Sequence, residues 1–220
     1  MAGVFITIEG VEGSGKSTQL ARLSARIQRL GLPLVVSKEP GGTSLGKELR
    51  RLLLEPHPSG ETWCPDAELL LFYADRAQHL HAVVRPALAE GKLVLLDRFE
   101  DSTRAYQGAS GVPDGAMDRI GDLVLRRLKP HLTLLLDLDP EEGMVRVAAR
   151  NGAQGAFAET RFDQAALEFH RRVRARFLAL AQAEPNRIAV VSARESPDLV
   201  EAALWARVSP LLRSAGLGVD

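Results

Sequence analysis

One segment near the start of the chain restricts the possible folds more than any other. Residues 10–17 read GVEGSGKS and fit the pattern G-x-x-x-x-G-K-[ST] at every specified position. The segment follows a short apolar run, residues 4–8, and precedes residues 19–30, whose apolar side chains recur at helical spacing. A glycine-rich turn between a strand and a helix directs backbone N–H groups and the positive end of the helix toward phosphate oxygens. The segment therefore predicts a phosphate-binding loop (P-loop).

Individual residues of this loop have separate expected roles. Lys16 is expected to reach the β and γ phosphates of a nucleoside triphosphate, and the Ser17 hydroxyl to ligate Mg²⁺. Asp97 closes an apolar run, as a Walker-B aspartate does, and is expected to help hold the metal. The alternatives are a turn that binds nothing and an aspartate that pairs with Arg98 or caps a helix. The predicted ATP-binding residues are Gly10, Val11, Glu12, Gly13, Ser14, Gly15, Lys16, Ser17 and Thr18.

Short apolar runs alternate with longer helical patterns along the chain. The predicted strands are residues 4–8, 34–36, 93–96, 132–138 and 187–191. The predicted helices are residues 19–30, 67–81, 114–128, 141–150, 163–183 and 197–212, and Asp139 is the predicted N-cap of the fourth. Strands that are apolar throughout are typical of parallel sheets covered on both faces. We expect one domain, residues 1–220, built on a doubly wound, five-stranded parallel sheet with helices on both faces.

Charge and composition exclude several classes of function. Lys plus Arg and Asp plus Glu both number 28, so the formal net charge is zero and no nucleic-acid partner is expected. No apolar run approaches the roughly 20 residues of a membrane helix, and the N-terminus lacks the pattern of a signal peptide. The single cysteine, Cys64, excludes an internal disulfide. These features favour the cytoplasm and no membrane partner.

A P-loop does not by itself distinguish a kinase from an ATPase or a GTPase. GTPases add an N-K-x-D segment for guanine, which is absent here. Residues 118–121 match D-x-x-G, but they lie within a predicted helix and are interpreted as a chance match. The choice between kinase and ATPase needs further segments.

Several such segments together resemble the thymidylate kinase family. They are IEG at 8–10, EPGGT at 39–43, LFYADR at 71–76, DRF at 97–99, STRAYQG at 102–108, LLLDLDP at 134–140 and RFD at 161–163. The likeness runs in order through nearly the whole chain. It implies transfer of the γ-phosphoryl group of ATP to dTMP, with Mg²⁺ as cofactor and a homodimer as the assembly.

The resemblance also implies how the acceptor nucleotide binds. Phe72 would stack on the thymine ring, and Arg76, one turn later on the same helix face, would donate to the thymine O4 edge. Arg50 and Arg98 would hold the dTMP phosphate, because arginine forks suit phosphate. Taken alone, Phe72 would be interpreted as a core residue, and Arg50 as a solvated helix position next to Arg51.

The other implied acceptor contacts are polar. Glu39 would order either Mg²⁺-bound water or the arginines, and Thr103 would hydrogen-bond to the base. Tyr106 would press against the deoxyribose and disfavour a 2′-hydroxyl. Ser102 and Gln107 are further candidate contacts.

Glu12 and a lid complete the implied machinery. Glu12 would reach the sugar hydroxyl or the arginines around the phosphates, and a carboxylate beside phosphates is expected to have a partner. One branch of the family has arginine at position 13, where this chain has glycine, so it resembles the branch in which basic residues of a lid assist transfer. The lid is predicted at residues 150–161, and Arg146 is a secondary candidate within reach of it. The predicted catalytic residues are Glu12, Lys16, Arg98, Arg150 and Arg161.

Two alternative functions stay open at this point. The nearer one is a kinase for another nucleoside monophosphate or a deoxynucleoside. The other is a P-loop ATPase or switch without a phosphoryl acceptor, for which EPGGT and DRF would have no role.

Overall fold

A five-stranded sheet organises residues 3–154 and 166–218, which are the residues that this computed structural model describes, side chains of 151–154 excepted. The strands run in the order β2-β3-β1-β4-β5, and all four neighbouring pairs are parallel. Their bounds are β1 Val4–Gly10, β2 Leu34–Lys38, β3 Leu93–Asp97, β4 Leu132–Asp137 and β5 Ile188–Ser192. The predicted fold class is confirmed, and every predicted strand lies within two residues of its observed bounds.

Helices connect these strands. They are α1 Lys16–Arg29, α2 Ser44–Leu54, α3 Pro65–His79, α4 Arg85–Ala89, α5 Glu100–Ala109, α6 Asp114–Leu125, α7 Pro140–Gln154, α8 Leu167–Ala183 and α9 Pro197–Ser214. A π-helical turn, Leu80–Val84, joins α3 to α4. Within the described residues, no helix combines the length and apolar character that a membrane crossing requires.

Alternate residues of the central strands enter different cores, because successive side chains of a strand point to opposite faces of the sheet. One core joins β1 and β3 to α1 and contains Ile6, Ile8, Leu95, Leu23 and Ile27. The other contains Phe5, Val94, Leu96, Leu80, Val84 and Phe99. Helices therefore cover both faces, as predicted.

Helix α5 was not predicted, and the reason lies in its buried face. Polar and charged side chains occupy that face, so no apolar periodicity marks it. These side chains are Glu100, Asp101, Ser102, Thr103 and Gln107. Helix α2 was also missed; it is capped by Thr43, whose hydroxyl accepts from the backbone N–H of Gly46 at 2.9 Å.

One helix end differs from its prediction, and another confirms it. Helix α6 ends at Leu125 and not at 128, because Arg126 has a φ of 48° in the left-handed region. The predicted cap at Asp139 is confirmed: its Oδ1 accepts from the backbone N–H of Glu141 at 3.0 Å. Residues 155–165, which include most of the predicted lid and Arg161, lie outside the described residues. The single-domain organisation stays a prediction.

Candidate active site

The predicted P-loop connects β1 to α1, and its glycines have backbone angles that other residues rarely adopt. Gly10, Gly13 and Gly15 have φ values of 145°, 74° and 86°. A Cβ at Gly13 would lie 2.7 Å from both the Cα and the carbonyl carbon of Gly143 in α7. The loop therefore packs directly on the α7 backbone, which explains in physical terms why this chain carries no side chain at position 13.

The carboxyl ends of the strands border a cavity of about 770 Å³. Open α/β sheets bind ligands in this place. The predicted site residues that line the cavity are Glu12, Gly13, Ser14, Gly15, Lys16, Ser17, Thr18, Glu39, Arg50, Phe72, Arg76, Asp97, Arg98, Ser102, Thr103, Tyr106, Gln107, Arg146 and Arg150. Gly10 and Val11 do not line it; their carbonyl oxygens accept from the Lys16 ammonium group at 3.0 and 2.9 Å.

Lys16 carries a depressed pKa. Burial is the main cause, the positive charge of Arg98 adds to it, and together they lower the pKa of Lys16 to about 8. The ammonium group uses loop carbonyls as its acceptors, so it lies at the mouth of the loop where phosphate oxygens are expected. A phosphate there would relieve the repulsion between Lys16 and Arg98.

Asp97 and Ser17 fit a hard divalent cation. The Oδ1 atom of Asp97 is buried without a hydrogen-bond partner among the described residues, and Asp97 and Ser17 both line the cavity. A buried carboxylate oxygen without a donor is costly and calls for an explanation. Mg²⁺ typically takes one or two protein oxygens and completes its shell with phosphates and water. This donor set matches that preference.

Arg98 connects the P-loop to α5. Its φ of 68° turns the chain sharply after β3, which is an unfavourable conformation for a residue with a side chain. One terminal nitrogen, Nη1, donates to the Gly10 carbonyl at 3.1 Å and to Ser102 at 3.0 Å. The other, Nη2, donates to Glu12 at 2.9 Å and to Tyr106 at 3.2 Å. These four bonds hold the guanidinium group beside the loop.

Glu12 has the partner that its position beside phosphates requires. Besides Arg98, its carboxylate accepts from the Tyr106 hydroxyl at 2.6 and 2.7 Å. His170 of α8 also contacts it, with Nδ1 3.2 Å from Oε2. Burial alone would raise the pKa of Glu12, but the hydrogen bond from His170 and the charge of Arg98 hold the pKa well below its usual range. The sequence assigned no role to His170.

Phe72 is half-buried and lines the cavity, so it is not a core residue. Arg76, on the same face of α3, is almost fully buried and makes three hydrogen bonds. Its partners are Glu39 at 2.8 Å, Glu100 at 2.9 Å and Thr103 at 2.9 Å. Glu39 thus holds Arg76, and its two expected roles, ordering Mg²⁺-bound water or the arginines at the phosphate, stay predictions. Burial raises the pKa of Glu100, and sequence reasoning missed this residue because it gives no motif signal.

Arg50 and Arg51 have different surroundings, which the sequence could not distinguish. Arg50 lines the cavity and donates to the Pro40 carbonyl at 2.9 Å. Burial, and then the charge of Arg98, lower the pKa of Arg50. The positive charges of Arg50 and Arg98 therefore face the same cavity. Arg51 is exposed and lies 3.7 Å from Glu48 on the same helix.

Asp75, which the motif contained without an assigned role, is buried nearby, and its Oδ2 has no hydrogen-bond partner among the described residues.

Ser102 and Gln107 contact carboxylates of the protein. The Ser102 hydroxyl donates to Glu9 at 2.5 Å, and the Gln107 amide donates to Glu68 at 2.7 Å. Burial and the neighbouring charge of Asp101 raise the pKa of Glu9 to about 8. Ser102 and Gln107 both line the cavity, and each is held in place by its hydrogen bond to a carboxylate of the protein.

The opposite end of the cavity lies at the β5–α9 connection. Ala193, Pro197 and Val200 line it, and Arg146 donates to the Ala193 carbonyl at 2.9 Å. Gln19 of α1 was not predicted; its amide donates to the Pro197 carbonyl at 3.0 Å. Of the two arginines predicted in the lid, Arg150 lines the cavity.

Comparisons with known proteins identify a family. The family model described as "Thymidylate kinase" matches residues 8–204. A curated thymidylate kinase from Solidesulfovibrio magneticus is 48% identical, over 95% of this chain and 100% of the relative. One from Deinococcus radiodurans is 49% identical, over 94% of this chain and 97% of the relative. The crystal structure of thymidylate kinase from Ehrlichia chaffeensis superposes with a TM-score of 0.75 at 29% identity, covering 95% of this chain and 100% of that one.

Proposed function

This chain belongs to the thymidylate kinase family and phosphorylates dTMP to dTDP with ATP, and from that premise we propose which part of the reaction each residue of the cavity carries. The observation that carries the proposal is the meeting of Lys16, Arg50 and Arg98 in one cavity. Burial, and then the charge of Arg98, lower the pKa of both other cations. Three cations in one place suit a reaction between two phosphate groups.

The main obstacle to this reaction is electrostatic. The attacking atom is an oxygen of the dTMP phosphate, whose second pKa is about 6, so it is largely ionised at neutral pH and needs no strong base. The reaction instead requires two anions to meet in line. Lys16 and Arg98 would neutralise that charge, and the lid arginines Arg150 and Arg161 would stabilise the transferring group.

The donor triphosphate would lie along residues 10–18, with the backbone N–H groups of the P-loop turned toward its oxygens. Mg²⁺ would be held by Asp97 and Ser17, an assignment that the buried, unpartnered Oδ1 of Asp97 supports. When bound, this ion would neutralise negative charge on the phosphate oxygens.

The acceptor phosphate would lie between Arg50 and Arg98. Arg98 is kept in place by its bonds to Ser102 and Glu12, so the guanidinium group is oriented before the substrate arrives. Preorganised charge of this kind stabilises a transition state without reorganisation during the reaction. Ser102 thus acts through Arg98 as well as lining the site.

Thymine recognition is assigned to α3 and α5. Phe72 offers an aromatic face for stacking. Arg76 has five N–H groups, and within the described part of the chain its bonds to Glu39, Glu100 and Thr103 use three, so two would be left for the O4 atom of thymine. Cytosine presents an amino group there, so two donors would face each other and binding would weaken.

The base edge and the sugar have further contacts. Gln107 and Thr103 lie in the same wall of the cavity and would complete the polar contacts to the base. The Tyr106 ring packs edge-on against Phe177, with centroids 6.1 Å apart, and its hydroxyl is fixed by Glu12. A rigid aromatic wall at the sugar would disfavour a 2′-hydroxyl.

We also propose a cytoplasmic homodimer. Leu70 on α3 is 57% exposed and Leu123 on α6 is 73% exposed, and these two helices pack against each other. A contiguous apolar patch across them would mark an interaction surface. Leu69, by contrast, belongs to the core. The exposed thiol of Cys64 suits a reducing compartment. Sedimentation of the wild type and of Leu70→Asp tests the assembly: the proposal requires a dimer in the first case and a shift toward monomer in the second.

A substrate panel tests the base assignments. ADP release would be followed with Mg-ATP and dTMP, dUMP, UMP, CMP or thymidine, for the wild type and for Phe72→Ala. We expect strong turnover with dTMP, weaker turnover with dUMP and little with the others, and a raised KM for dTMP in the variant. Equal turnover with CMP would reject the role of Arg76, and an unchanged KM would reject stacking on Phe72. Neither alternative function is supported by the comparisons, since each relative reported above is a thymidylate kinase.

A further inference from the structure

His170 lies in the first turn of α8 and faces the P-loop. It is 2% exposed, and its Nδ1 atom is 3.2 Å from Oε2 of Glu12. The two residues are far apart in sequence and come from different elements. No sequence motif assigned His170 a function, yet it contacts a carboxylate that lines the nucleotide cavity.

The surroundings of the ring indicate where its hydrogen lies. The Nε2 atom is buried and has no hydrogen-bond partner among the described residues. A buried N–H group without an acceptor is rarer in proteins than an acceptor without a donor. A ring with its hydrogen on Nδ1 and none on Nε2 satisfies this condition, and Nδ1 is the nitrogen that lies 3.2 Å from Glu12.

Counting donors around Glu12 shows what capacity is left. Oε1 accepts from Arg98 and from Tyr106. Oε2 lies 3.2 Å from Nδ1 of His170 and 2.7 Å from the same Tyr106 hydroxyl oxygen, whose single hydrogen can be donated to only one of the two carboxylate oxygens at a time. An ionised carboxylate has about four acceptor positions. With the Tyr106 hydrogen on Oε1, and counting donors among the described residues, one position remains, and it lies on Oε2 beside His170.

The chemistry of dTMP limits what can fill this position. Its 5′-hydroxyl carries the phosphate and its 2′ carbon has no hydroxyl, so the 3′-hydroxyl is the only sugar donor. We infer that His170 is a positioning residue that fixes Oε2 of Glu12 so that its remaining lone pair accepts the 3′-hydroxyl of the acceptor nucleotide. This inference rests on the proposed binding of dTMP in this cavity and on the contact between Glu12 and the sugar hydroxyl that the family resemblance implies.

The decisive experiment compares two substrates in two variants. The value of kcat/KM is measured with dTMP and with 3′-deoxythymidine monophosphate for the wild type, His170→Leu and His170→Asn. Hydrogen bonds to charged groups contribute enough to change kcat/KM by about tenfold or more when they are lost. We expect His170→Leu to lose about tenfold with dTMP and little with the 3′-deoxy substrate. The His170→Asn variant, whose amide nitrogen takes the place of Nδ1, should recover most of the loss.

A purely structural role for His170 predicts a different pattern. Equal proportional losses with both substrates, or no loss with either, would overturn the inference. If His170→Leu does not fold, His170→Gln replaces it, because its amide nitrogen takes the place of Nε2 and not of Nδ1. The inference then requires Gln to lose the preference for dTMP and Asn to keep it.

Two further variants distinguish a failure of this inference from a failure of the role of Glu12 on which it rests. Glu12→Gln should abolish the preference for the 3′-hydroxyl; if the preference persists, the role of Glu12 is wrong and the role of His170 falls with it. If Glu12→Gln abolishes the preference while His170→Leu keeps it, only the inference on His170 is wrong. His81→Leu, the same substitution at an exposed histidine, is the control and should behave as the wild type.

Discussion

Replacing Gly13 with alanine should destabilise the protein by about 2 to 5 kcal/mol. Two costs add. The φ of 74° is in the left-handed region, which costs a residue with a Cβ about 1 to 2 kcal/mol. The new Cβ would also lie 2.7 Å from the Cα of Gly143, and relieving such an overlap in a packed region costs about 1 to 3 kcal/mol. The obstructing atoms belong to the backbone of α7, so no side-chain rotation removes the overlap.

Gly31→Ala provides the matched control for this substitution. Gly31 has a nearly identical φ of 70°, but a Cβ there would meet nothing within 4 Å. This variant should therefore lose only about 1 to 2 kcal/mol, the cost of the backbone angle. Urea unfolding of both variants and of the wild type measures the difference, which isolates the packing of the P-loop on α7.

The same substitution should affect turnover. Relief of the overlap requires movement of α7, which carries Arg146 and Arg150 into the cavity wall. We therefore expect kcat of Gly13→Ala to fall while Gly31→Ala keeps the wild-type rate. If the two variants lose equal stability and Gly13→Ala keeps its kcat, the reasoning that α7 excludes a side chain at position 13 is refuted.

Three further predictions concern the charged groups of the site. Arg50→Ala should raise the KM for dTMP by about ten- to a hundredfold, as expected for lost charge-assisted bonds, and Arg51→Ala should leave it unchanged; equal effects in steady-state kinetics would reject Arg50 as the phosphate ligand. Arg150→Ala or Arg161→Ala should lower kcat more than dTMP affinity, and unchanged turnover in both would reject the lid assignment. Glu9 has a folded-state pKa raised from 4.5 to about 8, so its contribution to stability is fully present below pH 4.5 and is lost as pH rises toward 8. The unfolding free energy of the wild type, measured relative to Glu9→Gln, should therefore fall between pH 5 and pH 8, and a flat difference would contradict the raised pKa.

Local sequence patterns determined a large part of this protein. The P-loop motif, the five apolar strands and the cap at Asp139 all depend on residues close together in the chain, so each could be predicted without tertiary information. The resemblance to thymidylate kinases added the proposed acceptor contacts. It identified Phe72 and Arg76 as a pair on one helix, because their separation of four residues is a local property.

Tertiary structure decided how these segments meet. The buried face of α5 consists of polar side chains because this helix lies beside the cavity. The rule that buried helix faces are apolar therefore does not predict it. Only packing separates Arg50 from Arg51, since both have the same chemistry and adjacent positions. Glu12 acquires His170 as a neighbour because the order of the strands brings α8 to the P-loop. Spacing along the chain carries no information about such contacts, whereas burial of both partners makes them energetically important.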